Sequence, residues 1–222
     1  MTSHPRVVLL GKQGAGKGTQ AVLLAKHYGI LHLSTGEMFR AQADFGTAFG
    51  VEAKRYMDAG ELVPDDIVVG VIEETLAPSG MVDDGFVLDG YPRTVKQAEE
   101  LDRVLGSRPL DAVVMIDVPH DVVLSRLAGR RVCRGCQRVY HVDMPPARPW
   151  ICDTCGGDVV QRDDDTEEAI DRRLEIYERD TLPIVERYRL AGRLVTVPGV
   201  GTGDEVFDRL VAAIDAATGN SS

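Results

Sequence analysis

No apolar run in this 222-residue chain approaches the length of a membrane span, so a helical membrane protein is not expected. The first residues, Met1-Thr2-Ser3-His4-Pro5-Arg6, lack the features of a signal peptide, and a cytoplasmic location is the default expectation. Internal repeats and low-complexity linkers are also missing, which leaves one large domain, with room for inserted subdomains. Excess positive charge is lacking too. The 25 Lys and Arg residues face 35 Asp and Glu, and the net charge of −10 argues against nonspecific binding to nucleic acid or acidic membranes. Cysteine is absent outside one window, Cys133 to Cys155, which holds all four. With 44% hydrophobic and 27% charged residues, the rest is ordinary for a soluble globular protein, and the tail from Ala216 to Ser222 reads as frayed.

The most informative stretch is Gly11-Lys12-Gln13-Gly14-Ala15-Gly16-Lys17-Gly18-Thr19, directly after Val7-Val8-Leu9-Leu10. Glycines at this spacing let backbone N–H groups converge on one anion, where a side chain would block the approach. Ala21, Leu24, Ala25 and Tyr28 follow at helical spacing. A strand, a glycine loop and a helix N-terminus together make a phosphate site, with Lys17 as its point charge. The alternative is a glycine-rich turn that binds nothing. Gly18 intervenes between Lys17 and Thr19, whereas the common P-loop has Ser or Thr directly after the lysine. That variant points away from GTPases and motor ATPases, toward small kinases that phosphorylate nucleotides.

Strand-like runs at Arg6–Leu10, Ile30–Leu33, Phe86–Asp89, Ala112–Val118 and Leu194–Val197 alternate with helical patterns. The helical patterns include Val51–Ala59, Asp66–Leu76, Val95–Leu105 and Ala169–Arg189. This order predicts an α/β fold, a five-stranded parallel sheet covered by helices on both faces. Ligands in such folds sit beyond the carboxyl ends of the strands. After the second strand, in Ser34-Thr35-Gly36-Glu37-Met38-Phe39-Arg40, an N-cap role suffices for Thr35 and a solvated helix face for Arg40. After the third comes Asp89-Gly90-Tyr91-Pro92-Arg93-Thr94, then Gln97. Asp89 is placed to hold Mg²⁺ through water, Gly90 permits a tight turn, and Pro92 fixes φ for the helix start. Arg93 would return to the switch point and grip a phosphate in bidentate fashion; the alternative is an Asp-Gly turn with a surface arginine.

Arg126, Arg130, Arg131, Arg134 and Arg138 fall within thirteen residues, a local concentration of charge in an acidic chain. They run into Cys133-Arg134-Gly135-Cys136, and fifteen residues separate that knuckle from Cys152-Asp153-Thr154-Cys155. Two C-x₂-C knuckles at this separation predict one tetrahedral, structural Zn²⁺ site, with a disulfide as the poorer reading. Arg138 to Val142 looks like a short strand, His141 reads as a polar surface residue, and Trp150 is expected to pack on the knuckle. Beyond them, Asp165 with Glu168 reads as an N-cap, and the acidic run from Asp163 as caps and solvated charge. Ile170, Leu174, Tyr177 and Thr181 mark one helix face, and Arg173 beside it reaches a site as easily as solvent.

Taken together, Gly14 to Gln20, Ser34-Thr35-Gly36, Asp89 to Thr94 and the paired knuckles make the chain resemble the adenylate kinases that carry a zinc-bearing lid. The resemblance spans nearly the whole chain. It implies a P-loop nucleoside monophosphate kinase fold with a core (1–33, 64–128 and 166–222), a mobile monophosphate-binding insertion (34–63) and a mobile lid (129–165). On matching positions it implies that Gly14, Ala15, Gly16, Lys17, Gly18 and Thr19 cradle the ATP phosphates. Arg126, Arg130, Val139 and Tyr140 would close over ATP, and Gly201 would touch its adenine. Thr35, Arg40, Glu61, Leu62, Val63, Gly90, Arg93 and Gln97 would hold AMP, with Arg162 and Arg173 on the transferring phosphoryl group. Lys17, Asp89, Arg93, Arg130, Arg162 and Arg173 would carry catalysis, and Cys133, Cys136, Cys152 and Cys155 would hold zinc. Implied cofactors are Mg²⁺ with ATP and structural Zn²⁺; implied partners are ATP, AMP and ADP for a monomer, with no nucleic acid or membrane. Lys12-Gln13, Glu37 and Tyr91 depart from the usual pattern of that family, where a small residue and proline, Asp, and Phe are common. Two rivals stay open: a kinase for UMP or CMP, and an ATP-gated nucleic-acid-binding protein with a zinc ribbon.

Overall fold

The computed structural model describes residues 4–76 and 84–219. In chain order its first elements are β1 (Arg6–Leu10), α1 (Lys17–Tyr28), β2 (Leu31–Ser34), α2 (Thr35–Asp44), α3 (Ala48–Asp58), α4 (Asp65–Leu76), β3 (Phe86–Asp89) and α5 (Val95–Leu105). Then follow β4 (Ala112–Asp117), α6 (His120–Ala128), β5 (Arg130–Cys133), β6 (Val139–His141), β7 (Val159–Val160) and α7 (Glu167–Ile176). A π-helical turn (Tyr177–Thr181) leads into α8 (Leu182–Leu190), β8 (Leu194–Pro198) and α9 (Gly203–Thr218).

Five strands form one parallel sheet in the order β2-β3-β1-β4-β8. Alternate residues of each strand face opposite sides of the sheet, and both sides are buried. Val8, Leu10, Leu33, Phe86, Leu88, Val113 and Met115 pack under α4, α5 and α8 in one apolar cluster. Val7, Leu9, Val87, Val114, Ile116 and Val197 pack under α1, α6 and α9 in another. Burial on both faces is why the strands read as nearly continuous apolar runs. Central strand β1 ends at the glycine loop, and β3 beside it ends at Asp89, in register with Leu9. The two candidate loops are thereby brought to the same edge. A separate antiparallel sheet, β6-β5-β7, carries its own small buried cluster of Cys133, Tyr140, Cys152 and Val159.

Several local expectations are corrected. Ser34, not Thr35, caps α2, its side chain accepting from Glu37 N. Helix α5 starts after Thr94, which accepts from Gln97 N, so Pro92 belongs to the preceding turn, where its peptide bond with Tyr91 is cis. Thr166, not Asp165, caps α7 by accepting from Ala169 N. The pattern at 169–189 is two helices joined by the π-helical turn. Its expected face holds, with Ile170, Leu174, Tyr177 and Thr181 all buried. The tail is helical through Thr218, while Asn220 to Ser222, like Met1 to Ser3, lie outside the described residues.

Because Leu88 is fully buried in the central sheet and Leu190 is 75% exposed, the two leucines should respond differently to truncation. Leu88→Ala should cost about 3 kcal/mol in chemical unfolding and Leu190→Ala under about 0.5 kcal/mol.

Candidate active site

The glycine loop fixes the first half of the site. Gly14 has φ 81°, and a Cβ there would lie 2.9 Å from the Leu127 side chain of α6, so glycine is required twice over. Lys17 opens α1 and folds back over the loop, its Nζ donating to Gly11 O at 2.7 Å and Lys12 O at 2.9 Å. Burial lowers its pKa to about 8, opposed by Asp89 and assisted by Arg93 and Arg130. Gly18 explains the displaced Thr19: a Cβ at Gly18 would sit 3.2 Å from Asp89 Oδ2, so the smallest residue makes room for the carboxylate.

A cluster of arginines supplies the second half. Arg40, Arg93, Arg126, Arg130, Arg162 and Arg173 line the same large cavity as Gly14 to Thr19, Asp89, Val139, Tyr140 and Gly201. Burial depresses the pKa of Arg40, Arg93 and Arg162, the last to about 10, and neighbouring guanidinium groups add to the effect. The Nε atoms of Arg40 and Arg162 are buried without a hydrogen-bond partner. Unspent buried donors and crowded positive charge make a site that an anion relieves.

Two carboxylates keep the cluster together. Arg130 Nε donates to Asp165 Oδ2 at 2.7 Å and its Nη2 to Asp165 Oδ1. Arg173 Nη2 donates to Asp164 Oδ2 at 2.6 Å, and its Nη1 to Asp164 O at 2.8 Å. Burial opposes ionisation of Asp164, but the contact with Arg173, then Arg162 and Arg40, holds its carboxyl below the usual range. Asp164 and Asp165 are therefore buried partners of the arginines and not the solvated charge expected of an acidic run, whereas Asp163, Glu167 and Glu168 are exposed as expected.

A smaller pocket adjoins the arginines, lined by Thr35, Phe39, Glu61, Leu62, Val63, Gly90, Arg93 and Gln97. Thr35 Oγ1 donates to Gly90 O at 3.0 Å, and Arg93 Nε donates to the same carbonyl at 2.8 Å. Gln97 accepts from Arg93 N at 2.8 Å and donates to Asp65 Oδ1 at 2.7 Å. Every nucleotide-contact residue named from the sequence thus lines one of two adjoining cavities. Gln13, to which the sequence assigns no contact, lines the larger cavity too, and Asp65 supports the smaller one through Gln97. At the far end, Arg209 Nη1 pins the loop of Gly201 by donating to Pro198 O and Val200 O at 2.9 and 2.7 Å.

The four cysteine sulfurs lie within 4.8 Å of one another. Their closest pairs, Cys133 with Cys155 at 3.4 Å and Cys136 with Cys152 at 3.5 Å, are too far apart for a disulfide. A tetrahedron of Zn–S bonds has S–S edges of roughly 3.8 Å, so the donor set fits a thiolate-bound metal. Tyr140 is committed here: its hydroxyl donates to Cys152 Sγ at 3.4 Å and accepts from Asp153 N at 2.9 Å. Trp150, two residues before Cys152, is 43% exposed with the Arg131 guanidinium 5.9 Å from its ring centre. His141 Nε2 lies 3.3 Å from Ser125 O, outside the sulfur cluster.

A family model described as adenylate kinase matches residues 9–193. The chain belongs to the adenylate kinase family. It is 48% identical to an adenylate kinase of Streptomyces avermitilis over 94% of this chain and 96% of the relative. Adenylate kinases of Thermodesulfovibrio yellowstonii and Methanothrix thermoacetophila are 47% and 46% identical, over 95% and 92% of the chain and 99% and 95% of the relatives. The family is one of phosphotransferase enzymes, and the fold is its P-loop kinase fold. Among the described residues, no helix is long and apolar enough to cross a membrane.

Since Asp89 holds the Lys17 pKa up against burial, Asp89→Asn should lower it below about 8 in an NMR titration of the ε-ammonium group. An unchanged or higher value would show that the carboxylate does not act on the lysine.

Proposed function

We propose that this chain catalyses reversible phosphoryl transfer from Mg²⁺-ATP to AMP, giving two ADP. The observation that carries this reading is an arginine cluster that lines the cavity reaching the glycine loop and shares Arg93 with the adjoining pocket of Thr35 and Gln97. In this reading, Gly14 to Thr19 receive the ATP phosphates on backbone N–H groups, and Lys17 exchanges its carbonyl partners for phosphate oxygens. Arg126 and the Val139–Tyr140 segment cover the donor, and Gly201 meets its adenine. Thr35, Glu61 to Val63 and Gly90 line the acceptor site, Arg40 and Arg93 hold the AMP phosphate, and Gln97 keeps a free amide hydrogen for the base. Asp89 would hold the water around Mg²⁺ arriving with ATP, an ion that would supply neutralisation of phosphate charge. Arg130, Arg162 and Arg173 neutralise the charge on the phosphoryl group in flight. No nucleophilic side chain is needed, because AMP supplies the attacking oxygen and catalysis is positioning and charge stabilisation.

The α2–α3 hairpin within 34–63 and the separate small sheet within 129–165 support a mobile monophosphate-binding insertion and a lid on a core of 1–33, 64–128 and 166–222. Closure would exclude water, which otherwise competes with AMP for the phosphoryl group. Cys133, Cys136, Cys152 and Cys155 would bind structural Zn²⁺, their four thiolates leaving no coordination place for substrate. The net charge of −10 supports the absence of nonspecific nucleic-acid or acidic-membrane partners for this monomeric, cytoplasmic enzyme.

In a coupled assay for ADP, AMP should be preferred over UMP and CMP as acceptor, and Lys17→Ala should lower turnover by about 10²-fold or more. Normal turnover by that variant would overturn the reading. The purified protein should contain one zinc, and Cys152→Ala should lower the melting temperature by about 5 °C or more while slowing low-temperature turnover less than about threefold. Four freely titratable thiols and no zinc would remove the metal site.

A further inference from the structure

Gln13 sits in the glycine loop between Lys12 and Gly14, yet its side chain belongs to the arginine cluster. With its amide oxygen turned toward the guanidinium groups, the orientation that satisfies both ends, it accepts from Arg173 Nη1 at 2.7 Å and from Arg130 Nη2 at 3.1 Å. These contacts fill the arginines. Arg173 Nη1 also donates to Asp164 O at 2.8 Å, and its Nη2 donates to Met57 O at 2.7 Å and Asp164 Oδ2 at 2.6 Å. All four terminal hydrogens of Arg173 are then spent. Both hydrogens on Arg130 Nη2 are spent as well, one on Asp165 and one on Gln13.

For Arg173 to grip a phosphoryl oxygen through its terminal nitrogens, one of these bonds must break. The bonds to Asp164 and Asp165 carboxylates join opposite charges in a buried setting, and Met57 and Asp164 contribute carbonyls fixed in the backbone. Gln13 is the neutral, rotatable partner and hence the weakest tether. Its oxygen is also the only one of these acceptors that comes from the glycine loop, the place where a phosphate would be held.

We propose that the Gln13 amide oxygen stands in for a phosphoryl oxygen. In the nucleotide-free protein it positions Arg130 and Arg173 over the glycine loop, and an incoming polyphosphate displaces it. Gln13 is thus a positioning residue whose interaction opposes ATP binding slightly and contributes nothing once the nucleotide is seated. The inference deepens the phosphoryl-transfer reading and rests on it.

Gln13→Ala and Gln13→Glu separate this role from a purely structural one. Removing the stand-in leaves buried donors unspent in the free protein, so Gln13→Ala should bind inorganic tripolyphosphate about threefold more tightly by calorimetry. Gln13→Glu makes the tether ionic, and its affinity should fall about tenfold or more while its melting temperature without ligand rises above wild type. With ATP as substrate, KM should move in the same opposite directions and kcat should stay within about twofold of wild type, because the seated nucleotide has replaced the amide. Weaker binding in both variants, equal binding in both, or a drop in kcat with unchanged KM would overturn the proposal. Wild-type protein run in the same ADP assay keeps the two readings apart. Absence of ADP there would sink the phosphoryl-transfer reading, whereas the calorimetry judges the stand-in without turnover.

Discussion

Crowded, desolvated positive charge is the constraint on which this structure depends. Lys17, Arg40, Arg93, Arg126, Arg130, Arg162 and Arg173 line one cavity, in a chain whose net charge is −10. Burial lowers the pKa of Lys17, Arg40, Arg93 and Arg162, because a charge withdrawn from water is costly, and neighbouring guanidinium groups push the same way. Asp89, Asp164 and Asp165 compensate part of that cost. The remainder is a deficit of negative charge, and a polyphosphate is the kind of ligand that fills it. Preorganised cations cost no reorganisation when charge develops in a transition state, so a cluster of this kind is suited to stabilising one.

The fold exists around this site as a means of bringing distant segments to one edge. Parallel strands all deliver their carboxyl ends to the same side, and β1 and β3 run as neighbours in register, so the loop after Leu10 meets Asp89. The sheet stays rigid because both faces are buried under helices. The arginines come from less constrained places: Arg40 from α2, Arg130 from the first strand of the small sheet, Arg162 from the segment after β7, and Arg173 from α7. Carboxylates and carbonyls therefore tie them across the cavity. Arg173, for example, reaches Met57 O at the end of α3, tying α7 to that helix.

Much of this was legible in the sequence where the signal is local. The five strands appear as short apolar runs because each is buried on both sides, and the knuckles announce themselves by spacing. What escaped was long-range. Asp165 follows the local rule for an N-cap, but its carboxylate is taken by Arg130, thirty-five positions away, and Thr166 caps the helix instead. Thr35 satisfies the same local rule, yet Ser34 caps the helix and Thr35 donates to Gly90 O. No periodicity reports such pairings. Gln13 has one sequence signal, its departure from the proline usual in similar loops, but its pairing with Arg130 and Arg173 is long-range.

A labelled γ-phosphate gives the most direct measurement of whether this cluster joins two nucleotides and excludes water. In the presence of AMP, all of the label lost from ATP should appear as the β-phosphate of ADP, with inorganic phosphate no higher than in an enzyme-free control. Label released as inorganic phosphate at a rate comparable to ADP formation, or released equally without AMP, would contradict a closed two-nucleotide site.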